Sequence, residues 1–313
     1  MCHAPAAWRE REPMTEAATR IADALRGQGD LYGALRHASA GLDPDQAAGL
    51  LPAIRGALGG GIEAARLRAV DQGLLRAILR AGAGGAAVPG SAALVAWLHD
   101  AEVAPLFMPE IAASRHMALL TTDPAMPAYS DPSFDGWFAT QGMDYGLGPY
   151  GEKRSVYKAA QFADAASPER RMIHMGIDVF APAGTPVHAP MPGRVAFVTY
   201  NADPLDYGHT LILEHDSPAG RFWTLYGHLG GSLPRLCAPG ARVAAGDVIA
   251  HLGDWPENGG WAPHLHFQIM ADMLEQRDGN FFGVGHESLW DIWQQICPDP
   301  NLILRLPEGA FGG

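Results

Sequence analysis

His174-Met-Gly-Ile-Asp178 sets an imidazole and a carboxylate four residues apart, with a glycine between them that lets the chain bend. Further on, His264-Leu-His266 carries imidazoles at i and i+2, so on a strand both rings leave from the same face. Zinc accepts nitrogen and oxygen donors, and catalytic zinc sites take three protein ligands and keep a position open for water. A His/Asp/His set fits that count. Hydrolysis also needs a group to take a proton from water and another to hydrogen-bond the oxyanion. Leu225-Tyr-Gly-His-Leu229 brings a further imidazole, His228, to the end of an aromatic run.

These residues need a framework, and from Ile173 onward the sequence supplies strands. Gly193–Tyr200, Thr210–His215, Arg221–Tyr226, Val248–Leu252 and His264–Met270 are short runs separated by Gly, Pro and Asp, the mark of an antiparallel β unit. The N-terminal part is different material. It is Ala-rich, with Leu51, Ile54, Leu58 and then Leu67, Val70, Leu74, Leu75, Ile78 at helical spacing and Asp43-Pro as a helix start. The expected fold class is α+β, with a helical domain over 15–122 and a β domain over 173–272. Between them lies a turn-rich connection, 123–172, and after them an extension, 273–313, with a helix near Leu289–Ile296. Tyr145, Tyr150, Arg154 and Tyr157 in the connection, with Trp255 and Trp261 near the His-x-His strand, are candidate groove walls. The connection is expected to drape over the groove and restrict access to it.

Residues 172–270 resemble the lysostaphin/LytM-type zinc endopeptidases, which cut peptide bonds in bacterial peptidoglycan. The anchors are His174-Met-Gly-Ile-Asp178, Ala181-Pro-Ala-Gly-Thr-Pro-Val-His-Ala-Pro, Gly193-Arg-Val, Tyr226-Gly-His-Leu, Gly246-Asp-Val-Ile and Pro263-His-Leu-His-Phe. The resemblance implies an antiparallel sheet of the duplicated hybrid motif with an open groove, and one zinc ion held by His174, Asp178 and His266. It also implies His228 and His264 as the catalytic pair; Tyr145, Tyr150, Tyr157 and Trp261, read from their places in the sequence, are the candidate substrate contacts. The sequence departs from the family pattern along the groove. Gly253–Trp261 replaces a Gly-Ser-Thr-Gly-type turn, Gln268 stands where an acid is common, and the Asn201–Tyr207 loop is long.

The expected activity is hydrolysis of amide bonds by a metal-activated water, on peptidoglycan or a similar peptide. A cytoplasmic metallohydrolase of a small peptide-like amide is the alternative, and a non-catalytic wall- or partner-binding module the second. Lys and Arg total 22 against 34 Asp and Glu, a net charge of −12 that repels nucleic acid and anionic membranes. The uncharged stretch Ala81–Leu98 is mostly Gly and Ala, so it reads as a turn between two helices and no membrane span is expected. The first residues show no apolar signal region, which favours a cytoplasmic location unless export is non-standard. Cys2, Cys237 and Cys297 form no paired scaffold. His286-Glu lacks the second histidine of a zincin motif, and His37, His99, His116, His188, His209, His215 and His251 are assigned structural roles. Oligomeric state is not legible in the sequence.

Overall fold

Ile177 and Val179 alternate with Asp178 and Phe180, so a strand here sends two apolar side chains one way and a carboxylate and a ring the other. The strands in chain order are β1 (His116–Ala118), β2 (Tyr145–Gly148), β3 (Ile173–His174), β4 (Ile177–Phe180), β5 (Pro186–His188), β6 (Gly193–Asn201), β7 (Gly208–Ser217), β8 (Gly220–Leu229), β9 (Arg242–Val243), β10 (Val248–His251), β11 (His264–Met270) and β12 (Val284–Gly285). The computed structural model describes residues 6–156 and 162–311. Among the described residues, eight strands join in the order β1-β2-β4-β11-β8-β7-β6-β9, and β5/β10 and β3/β12 form separate pairs. All pairings are antiparallel except β1 with β2. Ile177, Val179, Leu265, Phe267, Leu211, Leu213 and Tyr226 meet in one buried apolar cluster on the core face. Burying each such side chain stabilises the fold by roughly 1.5–3 kcal/mol, which holds the register that the opposite face uses.

Two compact units divide the chain. One comprises the described parts of Met1–Pro89, Ser155–Met172 and His286–Gln295, the other Gly90–Arg154, Ile173–Gly285 and the described part of Ile296–Gly313. The N-terminal piece of the helical unit therefore ends at Pro89, and helix Ser91–Asp100 belongs with the sheet. The 123–172 segment is also more structured than a connection. It holds helix Ser133–Gln141 and strand β2, which pairs with β4 in the register Gly146↔Phe180, Leu147↔Val179, Gly148↔Asp178. Its glycines conceal the strand from pattern reading, yet the packing requires one of them. A Cβ on Gly148 would lie 2.9 Å from Arg154 Nη2 and 3.1 Å from Asp178 Cβ.

In the helical unit Asp30, Asp43 and Asp71 cap the helices Leu31–Ala38, Pro44–Gly49 and Gln72–Gly82, each carboxylate accepting from backbone N–H groups of the first turn. Leu51, Ile54, Leu58, Leu67, Leu74, Leu75 and Ile78 are all buried. A polar knot ties the discontinuous pieces of this unit together. Asp164 Oδ2 accepts from the Tyr32 hydroxyl at 2.9 Å and lies 3.4 Å from His286 Nε2 and 3.5 Å from Arg171 Nη1. Burial pushes the Asp164 carboxyl up, but His286, the Ala166 N–H and Tyr32 outweigh it and hold it below its ordinary value. With the folded value depressed, the stabilisation is full above the unfolded value near ~3.9 and is lost as pH falls through the folded value. Asp164→Asn should therefore lower the melting temperature at pH 7 and converge on wild type as pH falls through the depressed folded value. Parallel melting curves across that range would remove the knot from the stability of this unit.

Candidate metal centre

Three adjacent strands bring the chemistry together. In the β4–β11 ladder His266 lies opposite Asp178 and His264 opposite Phe180, and opposed residues of an antiparallel pair share a face. His174 ends β3, with two residues between it and the start of β4. Gly176 makes the bend possible, since a Cβ there would lie 2.5 Å from His266 Cε1. His174 Nε2, His266 Nδ1 and Asp178 Oδ1 converge: the two nitrogens are 3.0 Å apart and each is 3.2 Å from the carboxylate oxygen.

The hydrogen bonds at the outer edges of the rings decide what this convergence means. His174 Nδ1 donates to the Pro149 carbonyl at 3.0 Å. His266 Nε2 donates to Gln268 Oε1 at 2.9 Å, and Gln268 is itself oriented because its Nε2 donates to the Phe282 carbonyl. With a hydrogen on each of those outer nitrogens, the facing nitrogens are the ones left to offer lone pairs. Burial, helped by the Arg154 charge, pushes His174 down to about 4, so it is neutral at pH 7. Two lone pairs and a carboxylate oxygen meet with no hydrogen to share, an arrangement that repels itself unless a cation lies between. The edge of a tetrahedron built on metal–nitrogen bonds of about 2.1 Å is roughly 3.4 Å, close to the separations seen. The donor set suits zinc, with both imidazoles fixed by outer partners as metal-binding histidines usually are.

Asp178 is gripped from behind. Its Oδ2 accepts from Arg154 Nη1 at 2.7 Å, and Arg154 Nε donates to Glu152 Oε2 at 2.7 Å. Glu152 Oε1 accepts from Thr121 N–H and hydroxyl at 2.7 and 2.8 Å. Burial alone would raise the Asp178 carboxyl, but His174 and Arg154 together hold it well below the usual carboxylate range. Arg154 is therefore no groove wall. It is 2% exposed and fixes the only acid of the cluster.

His228 reaches the same face through an irregularity. Tyr226 pairs with Phe267 on the core face and Gly227 with His266, so a regular strand would turn His228 inward. The β7–β8 register slips between Leu211↔Tyr226 and His209↔Leu229, leaving one extra residue on β8. His228 absorbs this with φ +63°, an uncommon value for a residue with a side chain, held by its N–H bond to the Tyr207 carbonyl at 2.7 Å. Its Nδ1 donates to the Asn258 carbonyl at 2.8 Å, and His264 Nδ1 donates to the Ala262 carbonyl at 2.7 Å. Both rings consequently turn a bare Nε2 away from those bonds, and their centroids are 4.2 Å apart. His264 Nε2 lies 3.8 Å from Asp178 Oδ1. Burial pushes His264 down to about 4, and burial with the neighbouring His264 and His266 rings pushes His228 well below its ordinary value.

Residues 172–278 match the profile of Peptidase family M23. This segment is similar to M23-type peptidase domains. Over 96 residues it is 33% identical to the DD-carboxypeptidase/endopeptidase Mpg of Neisseria meningitidis, a match covering 31% of this chain and 20% of that protein. An uncharacterized metalloprotease of Haemophilus influenzae is 37% identical over 97 residues, 31% of this chain and 18% of its own. The matched segment thus spans about a fifth of these relatives' length. The catalytic domain of lysostaphin from Staphylococcus simulans aligns with a TM-score of 0.34 and 22% identity, covering 54% of this chain and 96% of that domain.

Around the M23-type site the remaining candidates separate. Trp261 packs edge-on to His228 with ring centroids 6.1 Å apart, and its indole N–H has no hydrogen-bond partner among the described residues. Tyr145 lies on β2 and lines a cleft described below, its hydroxyl donating to the Pro109 carbonyl. The Tyr150 hydroxyl donates to the Cys297 carbonyl at 2.7 Å, which ties it to the C-terminal segment, and it is not among the residues lining that cleft. Tyr157 lies outside the described residues. Pattern reading passed over Tyr207, whose ring is 5.1 Å from His266 and 5.7 Å from His228, and Asn258. The Asn258 side chain donates to the Gly253 and Trp261 carbonyls and accepts from the Gly260 and Trp261 N–H groups, closing the turn that offers its carbonyl to His228.

Proposed function

We propose that the M23-type domain is a zinc peptidase that hydrolyses an amide bond in peptidoglycan or a closely similar peptide. The observation that carries this reading is the meeting of three unshared electron-pair donors beside two neutral histidines whose bare nitrogens share the same face. A divalent ion held by His174, Asp178 and His266 supplies Lewis acidity toward water and a substrate carbonyl. The chain's own groups do the rest. One of His228 and His264 accepts the proton that water gives up, at Nε2. The protonated ring or its partner then donates a hydrogen bond to the oxyanion and a proton to the leaving amine. All five residues are at most 6% exposed, so water is largely excluded and the electrostatic interactions there are strong.

The Neisseria relative is a DD-carboxypeptidase/endopeptidase, which favours wall peptides over other amides as the first substrates to try. The purified full chain is to be incubated with cross-linked muropeptides, glycine-rich bridges and simple peptides, and the products read by mass spectrometry. Cleavage is expected with muropeptides, is abolished by a chelator, and returns on adding zinc. Cleavage that survives chelation would end the metallopeptidase reading. Zinc bound without cleavage of any of the three classes would leave the domain a binding module.

A further inference from the structure

Next to the metal centre lies a cleft of about 720 Å³ whose composition points to its occupant. That volume is of the size that takes a small ligand or a few peptide residues. Phe180 and Pro263 line it on the side of the catalytic pair, Phe180 stacking on His264 at 4.5 Å and Pro263 preceding it in the chain. Phe134, Phe138 and Tyr145 make apolar walls. Met108 and Met143 also line it, 61% and 36% exposed, and unbranched thioethers adapt readily to a ligand.

Among the described residues, every charged side chain that lines this cleft is an aspartate: Asp135, Asp144 and Asp254. Asp144 is balanced by Arg115, whose Nη2 donates to it at 2.9 Å. Among the described residues Asp135 accepts the neutral Trp255 indole N–H at 2.7 Å and Asp254 a backbone N–H at 2.8 Å, and neither is paired with a cation. Two uncompensated carboxylates over apolar walls repel an anion and leave a neutral ligand indifferent. Low-dielectric walls also focus their field on whatever enters. A side chain with an alkyl stem and an ammonium end satisfies both features, because such stems lie along apolar surface while the charge meets a carboxylate.

We propose that this cleft is a specificity subsite for a cationic, lysine-like side chain of the substrate peptide, positioned so that a neighbouring amide reaches His264. This rests on the peptidase reading of the site and adds the substrate class. Met108, Phe134, Asp135, Phe138, Asp144 and Tyr145 all precede the family-matched residues 172–278, so the selectivity is built by this chain's own added segment.

The test is binding, which does not depend on turnover. Short peptides differing only in a central lysine, norleucine or glutamate are titrated by calorimetry into the full chain carrying His228→Ala, whose side chain does not line the cleft. The lysine peptide is expected to bind roughly tenfold more tightly than norleucine, with glutamate weakest. Asp135→Asn with Asp254→Asn should bring lysine and norleucine within about twofold. Should that double change prevent folding, the same preference must shrink on raising salt to about 0.5 M. Equal binding of the three peptides, or a lysine preference indifferent to salt, overturns the subsite. A lysine preference in a protein whose wild type cleaves no peptide would uphold the subsite and overturn only the peptidase reading.

Discussion

His264→Ala is expected to keep its zinc and lose roughly 10²–10⁴-fold in turnover, whereas His266→Ala should lose both metal and activity. The difference follows from where each ring's free nitrogen points. His266 Nδ1 lies 3.2 Å from Asp178 Oδ1 and 3.0 Å from His174 Nε2, inside the cluster. His264 Nε2 is 3.8 Å from the same oxygen, beyond ligand packing but close enough to meet a water or carbonyl held there. Removing one of three ligands leaves two donors, and the lone pairs that repel each other no longer gain enough from binding an ion. Removing His264 leaves all three donors and their outer partners, Pro149, Gln268 and Arg154, untouched. Zinc per chain by elemental analysis, beside muropeptide hydrolysis, separates the two outcomes. Equal zinc in wild type and His266→Ala would sink the ligand assignment, and undiminished hydrolysis by His264→Ala would remove that ring from the reaction.

The site was legible in sequence where the chemistry is local. A histidine and an aspartate four apart around a glycine, and two histidines on alternate positions, state their geometry within one strand or one bend. The apolar alternation of β4, β7 and β11 likewise announces its own core face. What escaped depends on contacts remote in the chain. Arg154 reads as a groove-wall candidate in the connection until folding brings it to Asp178, 24 positions away. β2 was hidden because Tyr145-Gly-Leu-Gly carries glycines that the approach of Leu119, Arg154 and Asp178 demands. His228 sits on the site face only through a bulge that no periodicity predicts. Asn258 looks like a turn residue and is one, but its turn is what fixes the tautomer of His228. These cases also change how the N-terminal segment is viewed. A strand that pairs with the Asp178 strand and an arginine that grips Asp178 cannot be cut away to uncover a groove.

Arg154→Met is accordingly expected to lower both stability and metal affinity by large amounts. Arg154 is 2% exposed and lies between two carboxylates, Asp178 and Glu152, each at 2.7 Å. Replacing such a buried pair entirely by apolar groups can be neutral, but removing one partner strands a buried charge and costs about 3–5 kcal/mol. Here two carboxylates lose the same cation. For a unit of this size that corresponds to a fall in melting temperature of roughly 6–20 °C. Zinc affinity should drop about 10–100-fold, the usual effect of losing a partner that orients a ligand. Added zinc should restore part of the lost stability, because an ion on Asp178 Oδ1 supplies the positive charge that Oδ2 has lost. Arg154→Lys should fall between the two, keeping the charge without the fork that spans Asp178 and Glu152. Thermal melts with and without zinc, and zinc titration against a competing chelator, provide the readouts. A melting temperature for Arg154→Met within a degree or two of wild type would mean that the Thr121–Glu152–Arg154–Asp178 chain holds neither the sheet nor the metal ligand in place.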